Sequence, residues 1–135
     1  MSNPLMQYKQ QSINTMSSAE LILTLYDEAL KNLRIAVMKF DSEEVEIATT
    51  CTNKAKEIFK YLMESLDFNY DISNNLFKLY LFFNQEIISS EITLKSKPIT
   101  ELLPLIEDLK STWTQANRSL HTQNASSISQ PRQLL

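Results

Sequence analysis

Twice in its first 45 residues the chain carries the same helix-start device, and this repetition restricts the fold more than any other feature. Ser17 stands as an N-cap, Glu20 completes a capping box, and Met16 and Leu21 flank it as a hydrophobic staple. Asp41, Glu44, Phe40 and Val45 repeat the arrangement. Between the two starts, Ile22, Leu25, Tyr26, Ala29, Leu33, Ala36, Val37 and Phe40 recur at spacings of three and four, which predicts a helix to about Lys39 with one apolar side. The second helix, roughly Ser42 to Leu66, turns Ala48, Cys51, Ala55, Ile58, Phe59, Leu62 and Leu66 inward. So short a connection forces it antiparallel to the first.

Phe68 to Asp71 breaks the pattern, with Asn69 expected in the left-handed region and Asp71 as the cap of a third helix ending near Lys97, before Pro98. Thr100 is placed to cap a fourth helix carrying Leu102, Leu105, Ile106, Leu109, Trp113 and Ala116, and Pro104 can delay its start. Residues 1–15 are polar apart from Leu5, Met6, Tyr8 and Ile13, and residues 121–135 are rich in Ser, Gln and Asn. The expected architecture is all-α: an antiparallel four-helix bundle over residues 16–120, a flexible N-terminal arm over 1–15 and a disordered C-terminal tail over 121–135.

The third helix has more apolar residues than one core consumes. At about 100° per residue, Ile72, Leu76, Leu79, Tyr80, Phe83, Ile87 and Leu94 share an arc that can face the interior. Phe77, Leu81, Ile88 and Ile92 form a second stripe on the opposite side. Ile47, Tyr61 and Met63 widen the apolar arc of the second helix in the same way, so the two helices can flank a common groove. Three readings stand open for such a face: cover by the chain's own fourth helix or N-terminal segment, a homodimer contact, or a docking surface for a partner helix.

Composition removes other classes. Thirteen Lys and Arg against sixteen Asp and Glu, scattered along a chain of pI near 5.2, make no basic stripe for nucleic acid or anionic lipid. The longest apolar run, Leu79 to Phe83, is far short of the ~20 residues that cross a bilayer, and the N-terminus lacks the pattern of a signal peptide. The single cysteine, Cys51, points to no oxidising compartment, which leaves the cytoplasm as the expected location. With no glycine at all, phosphate loops, dinucleotide turns and nucleophile elbows are out of reach. The only histidine, His121, has Arg118 three residues before it, so no Glu-x-x-His metal pair exists. Glu43 with Glu44 and Glu107 with Asp108 suit a helix start and a polar face. Cys51 lies on an apolar arc between Ala48 and Ala55, where a thiol is inert. No catalytic residues, metal site or cofactor are expected, and the chain reads as a non-enzyme.

The stretch from Tyr8 to Asp27 is similar to the signature of the flagellin export chaperone (FliS) family, in which an early tyrosine precedes a Thr-x-Ser-Pro-x-Glu-Leu turn and a Leu-Tyr-Asp helix. Further similarities follow in order: Asn53-Lys54-Ala55 with Ile58, then Leu62, Ser65-Leu66-Asp67, Ile72, Asn75-Leu76, Leu79-Tyr80, and Leu109 with Trp113. Ser18 replaces the family's usual proline, and Phe68-Asn69-Tyr70-Asp71 replaces a glycine-rich turn.

The resemblance implies a cytoplasmic chaperone that binds the disordered C-terminal segment of flagellin, prevents premature polymerisation and delivers its client for flagellar type III secretion, with export-gate components as further partners. Phe77, Leu81, Ile88 and Ile92, with Tyr61, are the expected flagellin contacts. Tyr8 and Ile13 are the apolar points of an arm that resembles the family's groove-covering segment. The chain is expected to be a monomer or weak homodimer, and the alternative is a homodimerising helical adaptor or a chaperone for another secretion substrate.

Overall fold

The computed structural model describes the backbone of residues 18–126 and the side chains of these residues other than 117 and 119–126. Among the described residues four helices follow one another: α1 (Ser18–Asp41), α2 (Val45–Glu64), α3 (Ile72–Thr93) and α4 (Lys97–Ser126). Each packs on its neighbours in sequence, and α4 closes the ring against α1. Cross-links give the directions. On α1 and α4, Arg34 pairs with Glu107 and Asp27 with Lys110, so numbers rise on one helix as they fall on the other. On α2 and α3, Thr52 meets Glu91 while Asn84 bonds the Lys56 carbonyl, the same antiparallel sense. An all-α, antiparallel four-helix bundle is the result.

The interior follows the spacing of the apolar residues. Tyr26, Ala29, Leu33, Ala36 and Phe40 of α1 and Ala48, Cys51, Ala55, Phe59 and Leu62 of α2 are buried as their three-and-four pattern requires, and Leu30 joins them. Leu76, Tyr80, Phe83 and Ile87 of α3 meet Ile99, Leu102 and Ile106 of α4 in the same core. At its centre Phe59 stacks on Tyr80 and meets Phe83 edge-on at 5.1 Å. The Tyr26 and Tyr80 hydroxyls share a 2.5 Å hydrogen bond, so burial costs neither its polar partner. Burial pushes both phenols above their usual range, which keeps them neutral.

Several boundaries differ from expectation. Asp41 is not a helix cap: it is the last residue of α1, and its carboxylate accepts a 2.6 Å bond from Ser96 at the start of α4. Glu44 does precede α2, but its carboxylate bonds Ser42 and Lys39 instead of an α2 amide. Those contacts, Ser42 foremost, hold its carboxyl below the usual range. What the segment forms is a helix stop. The Glu44 amide donates to Lys39 O and the Glu43 amide to Phe40 O, with Glu43 at φ 62°, which is a Schellman motif. Ser17, the expected cap of α1, lies outside the described residues.

The α2–α3 turn contains no left-handed residue among those described, so Asn69 does not have that role. The Asp67 carboxylate accepts the Asn69 amide and its carbonyl accepts Ser73 Oγ, an Asx-type turn that works with ordinary torsions. Asp71 makes no side-chain cap. α3 ends at Thr93 rather than near Lys97, because Leu94 enters the left-handed region (φ 59°) and returns its amide to Ser90 O. α4 therefore starts earlier than Thr100. Pro98 sits in its first turn, where no amide is needed, and the Ile99 amide donates to the buried Ser90 Oγ. Pro104 does not delay the helix; both it and Thr100, whose carbonyl loses its partner, face solvent. The helix continues past residue 121 to Ser126.

A left-handed conformation costs an L-residue about 1–2 kcal/mol that glycine avoids. Glu43→Gly is therefore expected to stabilise the fold by about 0.5–1 kcal/mol, after allowing for the greater entropy of the unfolded glycine chain. Urea denaturation at fixed pH checks it, and a destabilised variant would refute the strain.

Candidate functional site

The polar seam between α2 and α3 fixes which way each face of α3 points. The Glu91 carboxylate lies 2.7 Å from Lys56 Nζ and 2.6 Å from Thr52 Oγ1, and Asn84 Nδ2 donates to the Lys56 carbonyl. All four residues are half-buried or better, so the seam stands at the edge of the core. Continuing outward from Asn84 by rotation along the helix brings up Phe77, Ile88, Leu81 and Ile92 in turn, each about 20° further.

These four are exposed by 38, 41, 41 and 77%, enough to exclude the described helices as a cover. They form one apolar row of about 22 Å on the flank of α3 that looks past α2. Phe68, in the preceding turn, meets the Phe77 ring edge-on at 6.0 Å and ends the row.

Tyr61 is exposed too, at 48%, but the structure does not bring it to this row. It stands about 140° around α2 from Lys56, the residue that faces α3, and therefore on the side toward α1. Ile47 shares that side. Met63, within about 20° of Lys56, faces α3 and packs against the core. The common groove expected from the sequence is thus built by α3, with Met63 and the seam as its α2 edge. Tyr8 and Ile13 lie outside the described residues.

The assignment of α3's inner arc needs correction at three positions. Ile72, Leu79 and Leu94 are exposed by 59, 37 and 50%, because they stand at the edge of the arc or past the helix end, and small buried Ser73 and Ser90 occupy core positions instead. Leu105 and Ala116 of α4 are also exposed. Phe82, which belongs to neither apolar arc of the sequence pattern, is 39% exposed on the outer face of α3. Its signal was available: it is neither on the core arc nor on the stripe.

Chemistry beyond packing is sparse. No group of His, Cys, Asp and Glu among the described residues is arranged to hold a metal ion. Cys51 is buried among apolar neighbours. No described helix is long and apolar enough to cross a membrane. A cleft of about 740 Å³ lies at the end of the bundle where α1 and α3 stop, lined by Phe40, Asp41, Glu43, Leu94 and Lys97 among others, where the two left-handed turns meet. It holds mixed charges and no convergent catalytic groups.

A family model described as flagellar protein FliS matches residues 1–120. The flagellar secretion chaperone FliS of Bacillus subtilis (strain 168) is 27% identical over 117 residues, covering 87% of this chain and 88% of the relative. Among solved structures, a bacterial flagellar chaperone superposes with a TM-score of 0.72 at 20% identity, over 86% of this chain and 99% of the other. At that identity the superposition speaks for the fold alone.

Proposed function

The chain belongs to the flagellar protein FliS family, and from that premise we propose that it is a cytoplasmic secretion chaperone whose client is the C-terminal segment of flagellin. The observation that carries this reading is the row Phe77, Leu81, Ile88 and Ile92, exposed on a helix whose opposite face already fills the core. An apolar row at helical spacing beside a polar seam accepts the apolar side of an amphipathic helix. A disordered segment able to form such a helix is held there without completing the contacts it makes in a filament.

Each client side chain seated on the row contributes about 1.5–3 kcal/mol before ordering costs. Those costs are large because the client folds as it binds. No cofactor enters the mechanism, and release requires only a competitor for the row, such as a component of the export gate.

Calorimetric titration with a peptide of roughly the last 60 residues of the same organism's flagellin, long enough to wrap a domain, tests the proposal. One-to-one binding with a negative heat-capacity change is expected. No heat and no change in peptide helicity at any temperature would overturn it.

A further inference from the structure

The cleft at the end of the bundle where α1 and α3 stop has walls of opposite charge. Asp41 and Glu43, at the α1–α2 junction, supply one wall, and Lys95 and Lys97, at the α3–α4 junction, supply the other. No ion pair joins the walls among the described residues. Asp41 accepts a 2.6 Å bond from Ser96, and Lys97 reaches only Glu101 of its own helix, at 3.9 Å with both groups largely exposed. Both junctions turn through a left-handed residue that is not glycine, Glu43 (φ 62°) and Leu94 (φ 59°). Glycine would close each helix at lower cost, but it would take a carboxylate from one wall and an apolar side chain, exposed by 50%, from the other.

The cleft also continues the row assigned to the client. Ile92, the last residue of the row, is followed directly by Thr93, Leu94 and Lys95, all of which line the cleft, as does Val45, the first residue of α2. A client helix lying on the row with its C-terminus toward Ile92 runs parallel to α3 and ends at the lysines. That end carries the negative pole of the helix dipole and, where the chain stops, a free carboxylate. Reversed, the same helix would bring its positive pole to Lys95 and Lys97.

We propose that the cleft captures the last residues of the client: Lys95 and Lys97 take the terminal carboxylate, and Asp41 and Glu43 take a basic side chain close to it. The two acids repel a carboxylate and so confine it to the lysine wall. The inference rests on the client reading above and gives it a direction, with about 15 residues of client helix on the row leading up to the cleft.

The test is calorimetric titration of the full chain with the flagellin C-terminal peptide in two forms, one ending in its free carboxylate and one amidated. The free acid is expected to bind roughly tenfold more tightly, and the gap to shrink in high salt. Amidation by itself favours a helix, so the weaker binding of that form does not come from lost helicity. Lys95→Gln together with Lys97→Gln should bring the free acid down to the amidated form and leave the amidated form unchanged, a coupling that a general loss of packing does not produce. Both lysines are exposed, so the fold is expected to be kept. Glu43→Gln should weaken both forms alike, by up to about fivefold, and unchanged affinity there would remove the acidic wall from the site. Equal affinity for the two forms, or a preference that survives loss of the lysines, would overturn the proposal and leave the row in place. Binding of neither form would overturn the client reading and this proposal together.

Discussion

A chain carrying Leu81→Glu together with Ile88→Glu is expected to bind the flagellin C-terminal peptide at least ~100-fold more weakly, with nearly unchanged stability. The two residues lie seven apart, within about 20° of each other on α3, and both are 41% exposed. Each forfeits about 1.5–3 kcal/mol of apolar burial against the client, and each new carboxylate must be desolvated without a partner. Together these exceed the roughly 2.7 kcal/mol that separates a hundredfold. Glutamate is a good helix former, and neither site touches the core, so the melting temperature should hold within a few degrees. Tyr61→Glu is the companion measurement. Because Tyr61 stands on the flank of α2 away from the row, an affinity within about threefold of the unaltered chain is expected. Undiminished binding by the double variant would remove the row from the client site.

That the row could be anticipated at all comes from counting. Phe77, Leu81, Ile88 and Ile92 fall on one side of a helix whose other side already holds Leu76, Tyr80, Phe83 and Ile87. Rotation of a single helix is a local property, and periodicity reports it directly. The orientation of one helix toward another is not local. Tyr61 looked like a neighbour of the row because α2 and α3 adjoin, yet only the Lys56–Glu91–Asn84 seam reveals which side of α2 meets α3. Ile72 and Leu79 show the same limit, since their arc was right but the core's edge lies a little to one side of them.

Helix ends are illegible in this sequence for a different reason. Without glycine, the usual marker of a left-handed stop is missing, and Glu43 and Leu94 take the conformation unannounced. No Asp41–Glu44 box forms: Ser42 donates to the Glu44 carboxylate, and the Glu44 amide closes the preceding helix on the Lys39 carbonyl. Pro98 and Pro104 misled in opposite directions. The first opens a helix instead of ending one, and the second is tolerated inside because the carbonyl it frees faces water.

The adjacent residues Phe82 and Phe83 offer the sharpest stability contrast in the molecule. Phe83 is 1% exposed and sits between Phe59, edge-on at 5.1 Å, and Tyr80 at 6.3 Å, in the layer where α2 and α3 join the core. Phe83→Ala removes the ring and strips both neighbours of their contact, a change that costs about 3–5 kcal/mol in a close-packed interior. For a chain of this size that lowers the melting temperature by roughly 10 °C or more. Phe82→Ala, one position away, removes the same atoms from a face already 39% open. Water replaces most of what is lost, so a cost of about 1 kcal/mol or less is expected. In denaturant, both variants should keep the parent slope while only Phe83→Ala moves the midpoint far. Equal losses at the two positions would mean that Phe82 is covered as well, and the outward face of α3 would then be smaller than its exposed side chains indicate.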